Sequence, residues 1–250
     1  RFGLQTQTQI LHGRPVCHSG ANALSLLEVC WNRPLLRRCE QLELGLSARL
    51  RLAYVSDFHC APWSGPMLEQ LALELERARP DAIALGGDLL DFPWGHGAMA
   101  VWVKRMGYLC PLVAIPGNHD RWVGLRRVKR RLAGLHWLDE APLELEGGLR
   151  LCGRVEQGAT PRSVLVGHEP TGVKAAAREG FPLMLAGHLH GCQWIWFQAG
   201  GRDYPGAWFY GYHGPRFQVG PTLLLVSRGV SDTLPVRIAC PRDYLWLELI

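Results

Sequence analysis

The sequence predicts an α/β fold, and three observations carry that expectation. Short apolar runs rich in Val, Ile, Leu and Ala recur along the chain, each bounded by Gly, Pro or Ser. Segments with helical apolar spacing lie between them. Each run closes on small or turn residues followed by ionisable ones, at the strand ends where open α/β sheets place their ligand sites.

Taken in order, residues 1–30 (with LQTQTQ and GRPVCHSGAN) are polar and irregular and read as an extension ahead of one catalytic domain over residues 31–250. The apolar runs are LRLAYVS at 50–56, AIALGG at 82–87, LVAIPG at 112–117, SVLVG at 163–167 and LMLAG at 183–187. Their length, composition and turn-forming borders suit buried strands. GPMLEQLALELERARP at 65–80 spaces its apolar residues for a helix and closes on basic residues ahead of Pro80. RWVGLRRVKRRL at 121–132 contributes Arg121, Arg126, Arg127, Lys129, Arg130 and Arg131. It reads either as a solvated helix face or as a surface for phosphate or an acidic membrane. The aromatic stretch at 194–217 reads as hairpin and core packing, or as an apolar lip for a lipid-bearing substrate.

At 250 residues, 48% hydrophobic and 20% charged, the chain can bury a sizeable core and is not a disordered protein. A net charge of +5 suits an anionic substrate without requiring a stable nucleic-acid partner. The cysteines Cys17, Cys30, Cys39, Cys60, Cys110, Cys152, Cys192 and Cys240 are scattered, with no C-x-x-C. That pattern favours reduced thiols and a cytoplasmic setting over a disulfide framework or zinc ribbon. No stretch approaches the roughly 18–20 apolar residues of a membrane span. The chain opens at Arg1, which leaves room for an upstream signal or anchor.

The strand ends carry the chemistry. SDFHC supplies Asp57 and His59, GGDLLD supplies Asp88 and Asp91, and PGNHD supplies Asn118, His119 and Asp120. VGHEP supplies His168, and AGHLHGCQ supplies His188 and His190, which an extended chain would point to the same side. Burying that many polar groups without a shared partner would cost several kcal/mol, so a metal centre is the economical explanation. Carboxylate, amide and imidazole donors without thiolate suit Mn, Fe or Zn in a catalytic role. There are too many donors for one ion, whereas paired ions about 3.5–4 Å apart use them well.

D-x-H, GD-x-x-D, GNHD, GH and GHLH, in this order over residues 50 to 191, resemble the signature of the calcineurin-like metallophosphoesterases. The resemblance implies a two-sheet β-sandwich flanked by helices, a four-layer αββα arrangement with a dinuclear site at the strand ends. It implies that Asp57, His59 and His190 bind one divalent ion, that Asn118, His168 and His188 bind the other, and that Asp88 bridges. Asp91 would then steady the site from behind. Residues 223–249 and the HEP after the fourth run resemble the YaeI/YkuE-like bacterial phosphodiesterases, a branch that includes UDP-diacylglucosamine pyrophosphatases of lipid A synthesis. Cys192 departs from that branch, which has glycine there.

The expected reaction is hydrolysis of a phosphodiester or pyrophosphate bond, in a small or lipid-linked substrate, by in-line attack of a metal-bridging hydroxide. Manganese is the expected metal, with iron or zinc as alternatives. His119 is the candidate acid for the leaving oxygen, with Asp120 expected to orient its ring. Arg216, Arg228 and Arg237 are candidate phosphate contacts or structural ion pairs. A nuclease or cyclic-nucleotide phosphodiesterase is the rival on the same machinery. A metal-stabilised envelope-binding protein is the rival of another class, and peripheral contact with the inner membrane is compatible with the leading reading.

Overall fold

The computed structural model describes residues 35–232 and 236–250, together with the backbone of two earlier strands. The chain runs β1 (Arg14–Ser19), β2 (Leu27–Val29), β3 (Leu36–Leu42), β4 (Leu50–Val55), α1 (Gly65–Ala78), β5 (Ala82–Leu85), α2 (His96–Gly107), β6 (Leu112–Ala114) and α3 (Asn118–Arg131). It continues through β7 (His136–Trp137), β8 (Leu143–Glu144), β9 (Arg150–Cys152), β10 (Ser163–Val166), α4 (Val173–Glu179) and β11 (Leu183–Ala186). The last elements are β12 (Ile195–Ala199), β13 (Arg202–Pro205), β14 (Arg216–Val219), β15 (Thr222–Val226), β16 (Val236–Ile238) and β17 (Asp243–Leu249).

Two sheets form the centre. The first has the order β1-β3-β17-β4-β5-β6-β7, and the second β14-β15-β11-β10-β9-β8. All five apolar runs are strands, shortened where the terminal Gly and Pro residues turn the chain: the run at 112–117 pairs only through Ala114. Alternation along each strand explains the layering. In β4, Ala53 and Val55 face α1 and α2, while Leu52 and Tyr54 face the second sheet. In β11, Leu183 and Leu185 face the first sheet, while Met184 and Ala186 face α4. Both sheets are buried on both sides, which is why their strands read as continuous apolar runs. The Tyr54 hydroxyl crosses the interior to donate to the Gly167 carbonyl at 2.9 Å.

The predicted helix at 65–80 is α1, which buries Leu68, Leu71, Ala72 and Leu75 on one face. Its end is set just before Pro80 by Arg79, which is in left-handed conformation and donates its N–H to the Leu75 carbonyl at 2.8 Å. The basic stretch lies in α3, which bends at Gly124. Arg121, Arg126, Arg127, Arg130 and Arg131 are exposed, while Lys129 pairs with Asp139 at 2.8 Å.

One expectation is corrected and another is borne out in part. The opening segment is less irregular than its composition suggests, since β1 pairs with β3 and β2 with β16. An edge strand such as β1 has ladder bonds on one side only and needs no apolar alternation to form them. The remaining residues of 1–34, including the division at residue 30, lie outside the described residues. The aromatic stretch divides: Tyr212 and Phe217 pack against the core cluster that includes Val173 and Ala176 of α4, whereas Trp196, Phe197, Trp208, Phe209 and Tyr210 stand exposed on and beside the β12–β13 hairpin. Their rings pack on one another, Phe197 on Tyr204 at 4.7 Å, outside the two main sheets. None of the described cysteines is in a disulfide, and no helix among the described residues is long and apolar enough to cross a membrane.

Candidate metal centre

The carboxyl ends of β4, β5 and β6 in the first sheet meet those of β10 and β11 in the second, and the ionisable residues foreseen at these ends converge there. Their backbone is unusual. Asp57, His59, Asp88, His188 and His190 all have positive φ, between 44° and 72°, which L-residues rarely adopt. Strained conformations persist where surrounding structure over-determines them, and they gather at functional sites. Two glycines allow the close approach: a Cβ on Gly117 would lie 2.0 Å from Asp88 Oδ1, and one on Gly187 would lie 2.5 Å from Asp57 Oδ2.

The side chains fall into two groups joined by a carboxylate. In the first, His59 Nε2 and His190 Nε2 are 2.9 Å apart, and Asp57 Oδ1 is 3.8 Å from His190 Nε2. In the second, His168 Nε2 is 3.1 Å from His188 Nδ1 and 2.9 Å from Asn118 Oδ1. Asp88 Oδ2 lies between them, 3.3 Å from His168 Nε2 and 3.8 Å from His59 Nε2. Two donors bound to one cation at about 2.1 Å each are at most about 4.2 Å apart, and all these separations meet that limit. Two imidazole nitrogens facing each other at 2.9 Å require a shared proton or a shared cation, and the buried Nδ1 of His190 has no hydrogen-bond partner. The donor set therefore fits a dinuclear divalent metal site.

The outer contacts aim these groups. His168 Nδ1–H donates to the Gly86 carbonyl at 2.8 Å, which leaves Nε2 as the inward donor. Ser56, which the sequence reading overlooked, donates its hydroxyl to Asp57 Oδ2 at 2.7 Å, and the His188 N–H reaches both Asp57 oxygens at 3.1 Å. Burial opposes the charged forms of Asp88 and His168, yet without a cation their contact prevails: the Asp88 carboxyl falls to about 2 and His168 rises to about 9, holding a proton that a bound cation would displace from Nε2. Burial drives His190 down to about 4 and also lowers His188, keeping both rings neutral with a lone pair to offer.

Asp120 does not orient His119. Its fully buried carboxylate accepts from the N–H groups of Leu89, Leu90 and Gly117, at 3.0, 3.1 and 2.9 Å, and ties the β5 and β6 loops together. The carboxylate on His119 is Asp91, whose Oδ1 is 2.8 Å from His119 Nδ1 and 2.5 Å from His59 Nδ1. Asp120→Ala is expected to cost about 3–5 kcal/mol of stability, read by urea denaturation, because three buried donors lose their acceptor together.

Each candidate arginine forms the structural ion pair that the sequence offered beside phosphate contact. Arg216 spans the two sheets to Glu40 at 2.6 Å, and Arg228 reaches Asp203 at 2.9 Å. Arg237 is buried on Asp232. The Arg228 stem lies against Gly191, bracing the turn after His190. Cys192 is exposed at φ 52°, a backbone state that explains a glycine preference at this position. The Cys60 thiol is buried and pushed well above its usual range, so it is no nucleophile.

Comparison with known proteins places this geometry in context. The chain is 26% identical over 228 residues to phosphodiesterase YaeI of Escherichia coli, covering 82% of this chain and 83% of that protein. Among solved structures it is similar to a dimetal phosphatase from Danio rerio, at 10% identity and a TM-score of 0.48, covering 74% of this chain and 89% of that one. It is also similar to the nuclease MPE of Pseudomonas putida, at 16% identity and a TM-score of 0.41, with coverage of 89% and 90%. The profile of the calcineurin-like phosphoesterases matches residues 50–192, a span that begins at β4 and ends just past His190. With more than half of its length matched and the match enclosing every residue of the cluster, the chain belongs to the calcineurin-like phosphoesterase family and is a metal-dependent phosphoesterase.

Proposed function

We propose that this chain hydrolyses a phosphodiester or pyrophosphate bond. Asp57, His59 and His190 would hold one divalent ion, Asn118, His168 and His188 the other, with Asp88 between them. The observation that carries the reading is the place of Asp88 Oδ2, within reach of both imidazole groups. The likeness to an Escherichia coli phosphodiesterase supports a diester over a monoester. Manganese is the metal we favour, and the imidazole and carboxylate donors also accept iron or zinc.

When bound, two such ions supply Lewis-acid polarisation of phosphoryl oxygens and an acidified water. The protein's own groups do the rest. Asp91 holds the half-buried His119 ring at 2.8 Å, at the edge of the cluster, so that it can pass a proton to the departing oxygen. Asp88 Oδ1 accepts the His119 backbone N–H at 2.8 Å, which locks that ring's position to the cluster.

A lipid-linked pyrophosphate such as UDP-diacylglucosamine is the substrate we favour within this class. The exposed aromatic hairpin and the basic face of α3 support peripheral contact with the inner membrane from the cytoplasmic side. No stable nucleic-acid partner is proposed.

The test is a metal-reconstituted assay across monoester, diester, sugar-nucleotide and single-stranded nucleic-acid substrates. Diesters and sugar nucleotides are expected to turn over faster than monoesters; a clear monoester preference would sink the proposal, and salt-sensitive cleavage of nucleic acid would favour a nuclease. Loading the same sample with Mn²⁺ at about 100 times its Kd should raise Tm by about 5–10 °C, reversed by chelation.

A further inference from the structure

A cleft of about 360 Å³ opens beside His59 and Asp91. Three separate segments wall it: Trp63, Pro66 and Met67 at the start of α1, Phe92 after β5, and Val230 after β15. Trp63 is 55% and Phe92 41% exposed, and Phe92 stacks on Trp94 with 2° between the ring planes, which fixes it at the rim. At the far end, Arg242 Nε donates to Asp232 Oδ2 at 2.9 Å, and the buried Arg237 pairs with the same carboxylate. Two guanidiniums share one carboxylate there, and Ser64 and Ser231 complete the lining, so the cleft joins an apolar wall of Trp63, Pro66, Met67, Phe92 and Val230 to a cationic far end.

Exposed aromatic surface facing a concavity is costly to maintain and marks a binding surface. The volume lies in the range of about 300–1,000 Å³ typical of small-molecule sites. The floor is continuous with the metal centre, because His59 belongs to the cluster and Asp91 holds His119. A phosphorus atom at the cluster therefore has one substituent within reach of the cleft.

We propose that this cleft is the subsite for an alkyl or aryl substituent of the phosphoester, selecting substrates with an apolar group next to the scissile phosphate. The inference rests on the hydrolase reading above.

The test uses the metal-loaded full chain, with methyl, butyl and octyl p-nitrophenyl phosphates for turnover and methyl- and octylphosphonate for calorimetric binding. The octyl compounds are expected to exceed the methyl ones at least about tenfold in kcat/KM and in affinity, a gain that sheltering as few as two methylenes supplies. Met67→Glu places an acidic residue in the first turn of α1, where the helix dipole accepts it, and is expected to bring both ratios to within about twofold of unity. Trp63→Ala is expected to lower both ratios in the same direction. Equal handling of methyl and octyl compounds by the unaltered chain overturns the subsite and leaves the hydrolase reading standing. A steep ratio that survives both substitutions also overturns it. No turnover of any ester overturns the hydrolase reading and, with it, the cleft as a substrate subsite.

Discussion

Asp88→Asn is expected to lower turnover of an activated diester by at least about 10³-fold, as befits a group that supplies several kcal/mol of charge stabilisation. The substitution is nearly isosteric and keeps an oxygen able to accept the His119 N–H, so the loop should hold its shape. What disappears is the negative charge between His59 and His168, whose contacts hold the Asp88 carboxyl well below the usual carboxylate range. Metal content measured after dialysis should fall below two ions per chain. Full activity with two retained ions would remove Asp88 from its proposed role.

His119→Ala should separate proton transfer from metal holding. We expect kcat to fall about 10²–10⁴-fold, the usual worth of a positioned acid, with metal content unchanged. His119 Nδ1 turns to Asp91 rather than to Asp57, Asp88 or His168, and the ring is only half-buried beside Trp122 at 4.7 Å. His59, Asp91 and His119 nonetheless lie close enough to form a third donor group. Loss of one ion in His119→Ala would therefore identify the ring as a ligand instead. Asp91→Asn offers a useful contrast: Asp91 touches both His59 and His119, so its loss should reduce both metal content and kcat.

Much of this was legible in the sequence because the chemistry sits at strand ends, and strand ends are marked locally. A buried run announces itself by composition, and the residues that follow it must project from the same edge of a sheet. What sequence could not settle is which side chains meet across the fold. Asp120 is next to His119 in sequence, yet it turns inward at the start of α3 to receive three backbone N–H groups, and Asp91, from another strand end, takes its place. An acidic residue in a first helical turn, three positions after Gly117, is a capping pattern that could have revealed this. The ion pairs of the three arginines were hidden for a related reason: their partners Glu40, Asp203 and Asp232 are joined to them by tertiary packing. The closing strand β17 was equally hidden, since it inserts between β3 and β4, nearly two hundred residues away in sequence.

The hydroxyl of Tyr54 reaches the Gly167 carbonyl one residue before His168, and so joins the two sheets beside the point where their loops converge. Asp57, His59 and Asp88 follow strands of one sheet, and His168, His188 and His190 follow strands of the other. The spacing of the reactive groups is thus a property of the sandwich interior, set by how far one sheet stands from its neighbour and at what tilt. A small change in buried volume at Leu52, Val113 or Val166 acts on catalysis as an alignment error, with every reactive residue intact. Loss-of-function variants of this chain should accordingly be found in two populations, one at the loops and one deep between the sheets, the second silent to any inspection of the site alone.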